Sequence, residues 1–146
     1  MTTNLLSVVA AAEAALQGRT EAWWNEPYAP GKWQRRQLLG HLIDSASNNH
    51  QRFVRAQLQD VYEGPRYDQE GCVRVQGFDT VPIPVLLALF GSFNRLLAHM
   101  IDRFAPGKLN TPCRIGDYPE VTLEALAVDY VAHLEHHLRQ LLDAQG

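Results

Sequence analysis

Apolar side chains return at steps of three and four residues through four long segments, a spacing that commits the chain to helices with one oily face each. The first segment runs from about Asn4 to Trp24, with Leu5, Val8, Val9, Ala12 and Leu16 on its stripe, and Pro27, Pro30 and Gly31 break it. The second, from about Gln34 to Val61, carries Leu38, Leu42, Ala46 and Phe53, and Gly64-Pro65 closes it. The third opens at Pro82 and Pro84, which a helix tolerates only in its first turn, where N–H groups have no intrahelical acceptor. It continues through Leu86, Leu89, Phe93 and Leu97 and stops near Pro106-Gly107. Thr122 is the expected N-cap of the fourth, which runs to about Ala144, with Glu120 and Glu124 where the helix dipole favours anions. No convincing strand pattern appears. The expected fold is therefore all-α, a four-helix bundle. Its two middle connections, Arg66 to Thr80 and Lys108 to Val121, are long enough to leave the order of the helices around the bundle open.

A chain of 146 residues allows one domain, 1–146. Its 13 Lys and Arg against 16 Asp and Glu give a net charge of −3, which offers no broad cationic surface to nucleic acid or acidic lipid. Cys72 and Cys113 lie far apart and make neither a disulfide framework nor a thiolate zinc knuckle. Met1 to Leu16 has no cationic region and includes Glu13, so no signal peptide is expected, and no uninterrupted apolar run reaches the roughly 20 residues that span a bilayer. These features point to a cytoplasmic protein with a small-molecule substrate and with neither nucleic acid nor membrane as partner.

Six histidines are the chemical signal: His41, His50, His99, His133, His136 and His137. His133 and His137 stand four apart, about 40° on a helical wheel, so both rings can reach one ion from a single face. Measured from the apolar centre of the last segment, His137 falls at about 50° and His133 at about 90°, on the flank of the core. His136 falls at about 150°, towards solvent. A helical HxxxH is by itself common, and two half-buried histidines bonded to Asp129 or Glu135 would give the same pattern. A third ligand must come from elsewhere. His41 is a candidate, but it lies about 130° from its segment's apolar centre, on a stripe with Ser45, Asn48 and Arg52. That stripe is either a solvated face, which the pattern alone favours, or one wall of a polar cleft. His50 reads as a core histidine and His99 as a surface one.

Trp33-Gln-Arg-Arg-Gln-Leu-Leu-Gly40-His41-Leu-Ile-Asp44-Ser45-Ala-Ser-Asn-Asn-His50-Gln-Arg52-Phe53 resembles the second-helix signature of the DinB/YfiT-like superfamily of metal-binding four-helix bundles. Tyr67-Asp68-Gln69 and Asp129-Tyr130-x-x-His133-x-x-x-His137 resemble further blocks of its DinB-like branch, so the similarity runs from about Trp33 to the end of the last helix. The resemblance implies a divalent ion, commonly nickel or zinc, held by His41, His133 and His137 with positions left open to water, thiol or substrate. It also implies a homodimer. Relatives include thiol-dependent S-transferases and a thiol-dependent isomerase, while many others carry only an inferred hydrolase assignment. One departure is Cys72, where the family pattern leads one to expect tryptophan; a small buried apolar side chain is its plainest role.

The function expected on these grounds is that of a metal-dependent enzyme, a hydrolase or a thiol S-transferase with a low-molecular-weight thiol as cosubstrate. Asp129, one turn before His133, would orient that ring or carry a proton, and Asn48 and Arg52 would bind substrate from the opposite helix. The alternative is a metal-binding module without turnover, structural or sensory.

Overall fold

The computed structural model describes residues 1–143, so the expected end of the last helix at Ala144 lies outside the described residues. Helix α1 spans Leu5–Leu16 and α2 spans Glu21–Asn25. They are two helices rather than the single one expected, because Gly18 turns left-handed at φ +80° and Thr20 starts a new cap, its hydroxyl accepting from the Trp23 N–H at 3.1 Å. Helix α3 spans Arg35–Gln57, and a reciprocal box between Gln34 and Gln37 fixes its start. It stops before Val61, and the chain passes into a short strand, β1 (Tyr62–Gly64).

The first long connection contains an unforeseen helix, α4 (Gln69–Gln76), capped by Asp68 and ended by Gly77 at φ +66°. Eight residues with a glycine among them are too few for a periodicity to show. A single 3₁₀ turn, Phe78–Thr80, leads to α5 (Ile83–Asp102). Two more strands, β2 (Pro112–Ile115) and β3 (Val121–Thr122), precede α6 (Leu123–Asp143), whose Thr122 hydroxyl accepts from the Ala125 N–H as expected of its cap. The absence of strands is thus corrected. β1 runs parallel to β2 with Tyr62 opposite Cys113, and β2 runs antiparallel to β3 with Cys113 opposite Val121. Strands of two to four residues are too short to announce themselves by alternation, and this small sheet ties the end of α3 to the start of α6.

The four long helices form the bundle. α3 packs on α5 and α6, and α1 packs on the same two, so α1 and α3 occupy opposite corners although they are consecutive long helices. Of the consecutive pairs of long helices, α3 and α5 are neighbours around the ring, whereas α1 and α3, and likewise α5 and α6, stand diagonally. The core contains Leu5, Val9 and Leu16 of α1, Leu38, Leu42 and Phe53 of α3, Phe90, Leu97 and Ile101 of α5, and Leu123, Leu134 and Leu141 of α6. One further expectation is corrected: by length and mean hydropathy, 1.4, Ile83–Asp102 would suffice to cross a bilayer. Interruptions such as Asn94 and Arg95 hide this from a search for unbroken apolar runs, and in the fold Leu86, Phe90, Leu97 and Ile101 of α5 fill the bundle interior while Leu89 and Leu96 stay exposed.

Candidate functional site

His41 enters the site through close packing at the start of α3. The neighbouring Gly40 lets the Phe78 ring lie so near that an added Cβ would come within 2.3 Å of it, so a side chain there would push the 3₁₀ turn off the helix. Arg36 holds the same turn, donating to the carbonyls of Phe78 and Val81 while it pairs with Glu21. Trp33 covers the imidazole with ring centroids 5.2 Å apart. His41 is consequently 1% exposed, and the solvated-face alternative for its stripe gives way to the cleft: Asp44, Ser45 and Asn49 are buried beside it.

Across the seam, α6 presents His133 and His137. The His41 ring lies 4.9 Å from that of His137 and 6.5 Å from that of His133, and the α6 pair are 4.5 Å apart. The Nε2 atoms of His133 and His137 face each other at 3.2 Å. His137 Nδ1–H donates to Gln140 Oε1 at 2.9 Å, which leaves Nε2 as its lone-pair nitrogen. Two imidazoles bound to one ion at about 2.0–2.1 Å stand that far apart when they subtend roughly 100°. His41 Nδ1 is buried and has no hydrogen-bond partner, which is costly for a polar atom that nothing else engages.

Burial, and then the neighbouring His137 and His133, push the His41 pKa down to about 4. Burial lowers His133 as well, followed by the charge of His136. It also lowers His137, against the opposing effect of its hydrogen bond to Gln140. All three rings are therefore neutral near pH 7, the state in which imidazole binds a cation. In donor type, protonation and spacing of the α6 pair, the residues fit a divalent metal. The side chains as they stand do not close on one point, however. The His41–His133 separation is the widest of the three, and among the described residues no three His, Cys, Asp or Glu side chains form a complete ligand cluster.

The remaining histidines stand apart from the seam. His136 and His99 are exposed, and His50 is half-buried with its ring edge-on to Phe93 at 5.5 Å. Arg52 and Asp129 both line a recess of about 620 Å³ that begins at His133 and runs between α3, the β2–β3 hairpin and α6. Asp129 is exposed and, among the described residues, makes no hydrogen bond or ion pair with His133. Asn48 is absent from the recess wall and donates to the Asp44 carbonyl, while Asn49, one residue on, faces the recess.

Four further groups received no role in the sequence reading, although Tyr67 and Tyr130 stand in the blocks that carry the resemblance. Gln140 orients His137, and only its place one turn further along the same helix hints at it. Gln76 of α4 donates to both Asp44 oxygens at 2.8 and 2.9 Å, while burial holds the Asp44 carboxyl above its usual range. Tyr67 is raised by burial, against the charge of Arg52 and the Ser45 hydroxyl. Tyr130 is pushed strongly upward by burial, and its hydroxyl donates to Asn94 Oδ1 at 2.5 Å across the bundle centre. Cys72 is half-buried on α4, and its carbonyl accepts from Gln76.

With this geometry in place, similarities to known proteins carry weight. A family model described as the DinB superfamily matches residues 5–141. A Bacillus pumilus protein named "Putative metal-dependent hydrolase" is 30% identical over 135 residues, which cover 90% of this chain and 75% of that protein. The Bacillus subtilis "Putative metal-dependent hydrolase YfiT" is 26% identical over 144 residues, covering 95% and 79%. The solved structure of YfiT superposes with a TM-score of 0.84 at 25% identity, over 96% of this chain and 81% of that one. It is described as a probable metal-dependent hydrolase with an unusual four-helix bundle topology.

Proposed function

This chain belongs to the DinB superfamily, and from that premise we propose that it is a metal-dependent hydrolase whose divalent ion is held by His41, His133 and His137. The observation that carries the reading is the meeting of three neutral imidazoles from two helices, with the α6 pair 3.2 Å apart at Nε2 and a buried His41 nitrogen lacking any partner. Nickel and zinc both suit an all-imidazole donor set. When bound, such an ion lowers the pKa of a coordinated water or thiol and polarises a carbonyl.

The rest of the site is work for the chain's own residues. Gln140 fixes the tautomer and tilt of His137 by accepting from its Nδ1–H. Trp33 and the α3–α6 packing exclude water from the His41 side of the cluster, while exposed His133 leaves the other side open to the recess. Asp129, on the recess wall one turn from His133, is placed to take up or release a proton at its carboxylate from a group lying in the recess. A thiol cosubstrate would enter by the same opening, which makes S-transfer the second reaction to test. Catalysis is preferred to a purely structural ion because the apolar core is continuous without the imidazoles and one side of the cluster opens onto a cavity.

Metal analysis of the wild type beside His41→Ala, His133→Ala, His137→Ala and His136→Ala tests the ligand set. The first three are expected to lose roughly a hundredfold or more in affinity, and the fourth to load like the wild type. Chelation is expected to leave the helical circular dichroism intact. Equal loss in all four, or in none, overturns the assignment. Ester and electrophile screens with and without small thiols then separate hydrolysis from S-transfer.

A further inference from the structure

Below His41 on α3, at steps of four, four and three, follow Ser45, Asn49 and Arg52, a polar row that forms one wall of the 620 Å³ recess. Ser45 and Asn49 are each 8% exposed, and Asn49 Nδ2 donates to the Ser45 carbonyl. The facing wall is apolar: Ile115, Val121 and Leu126. A recess of this size with few polar groups is that of a small organic ligand.

Arg52 stands at the far end with most of its donors uncommitted. It takes part in no ion pair among the described residues. Its contacts are one long hydrogen bond, Nη2 to the Pro65 carbonyl at 3.5 Å, and the Tyr67 ring at 5.9 Å. Arg66, which shares an adjoining recess with it, is paired with Asp117 at 3.0 Å. Asp129 in the recess and Asp68 and Glu70 beside it leave Arg52 unpaired, and they also limit how much negative charge the place tolerates. One guanidinium among three carboxylates suits a monoanion better than a phosphate dianion. Ser45 and Arg52 are seven residues apart, about 10 Å along the helix.

We propose that this recess binds a small carboxylic acid with an apolar body, its carboxylate on Arg52, its body against Ile115, Val121 and Leu126, and its far end under His133. The proposal deepens the reading of the imidazole cluster as a reaction centre, and rests on it for which end of the ligand reacts. Binding itself depends on Arg52 and the apolar wall.

Calorimetric titration with 4-phenylbutyrate, and with its uncharged amide, tests it in the wild type, Arg52→Gln, Arg52→Lys, Ala132→Phe and His137→Ala, with metal content measured on each sample. The wild type is expected to bind the acid more tightly than the amide. Arg52→Gln should weaken the acid roughly tenfold or more and leave the amide unchanged. Arg52→Lys should fall between, and Ala132→Phe, which narrows the recess, should weaken both ligands. His137→Ala, outside the recess wall, should keep the acid while losing metal. If it keeps its metal and the acid still depends on Arg52, the ligand assignment fails and the carboxylate site stands. No binding of the acid by the wild type at millimolar concentration, or an equal loss of acid and amide in Arg52→Gln, overturns the proposal.

Discussion

The seam between α1 and α5 and the seam between α3 and α6 solve the same packing problem with opposite chemistry. In the first, Leu5, Val9 and Leu16 are fully buried, and Gly91 leaves room for the Glu13 side chain to lie across α5 and pair with Arg95 at the rim. Polar groups stay at the edge, where water helps to solvate them. In the second, His41, Ser45 and Asn49 are drawn inside, and one His41 nitrogen is left without a partner. A buried polar atom in that state lowers stability. The dry seams and the shared core must supply the stability that the wet seam forgoes, and the division confines chemistry to one side of the bundle.

If that division is real, Leu16→Ala on α1 should cost about 2–5 kcal/mol, the usual range for a buried leucine, in a chemical denaturation curve. Metal loading per folded molecule should not change. A variant that lost metal in proportion to stability would mean that the two seams are coupled and would break the comparison.

Acid should strike the other seam. An unfolded imidazole takes its proton near its usual pKa of 6.5, whereas folded His41 resists down to about 4. Between these values the unfolded state holds more protons, so stability is fully present above about 6.5 and declines as the pH falls towards 4. For the metal-free protein the loss is on the order of 3 kcal/mol, read from urea midpoints at pH 7 and pH 4. His41→Gln should flatten the dependence. A wild-type midpoint that stays level to pH 4 would show that His41 is not buried as a neutral ring.

The smallest change concerns Gln140. Replacing it with leucine removes the acceptor of His137 Nδ1–H, and metal affinity should fall about tenfold to a hundredfold with no shift in the melting curve. An unchanged affinity would mean that the seam orients His137 without help.

How much of this was legible beforehand varies by residue. The i, i+4 relation of His133 and His137 follows from helical geometry alone, and both rings lie on one face as the wheel places them. His41 was misleading, since its distance from the apolar centre suggested water. A wheel marks the buried side of a helix only when one side is covered, and α3 is covered by α5 and α6, by α4 and by the Phe78–Thr80 turn. Asn48 and Asn49 show the same limit: one residue decides between a backbone carbonyl and the recess, a rotation finer than the pattern resolves.

The sequence by itself determined the helical body, the cap at Thr122, and the histidine pair on α6, because helix propensity, capping and four-residue spacing are local properties. Tertiary structure decided that α1 and α3 stand diagonally, that His41 meets α6, and that Tyr130 reaches Asn94 through the centre. Those outcomes depend on which oily faces bury one another best, and four similar stripes do not encode their own neighbours.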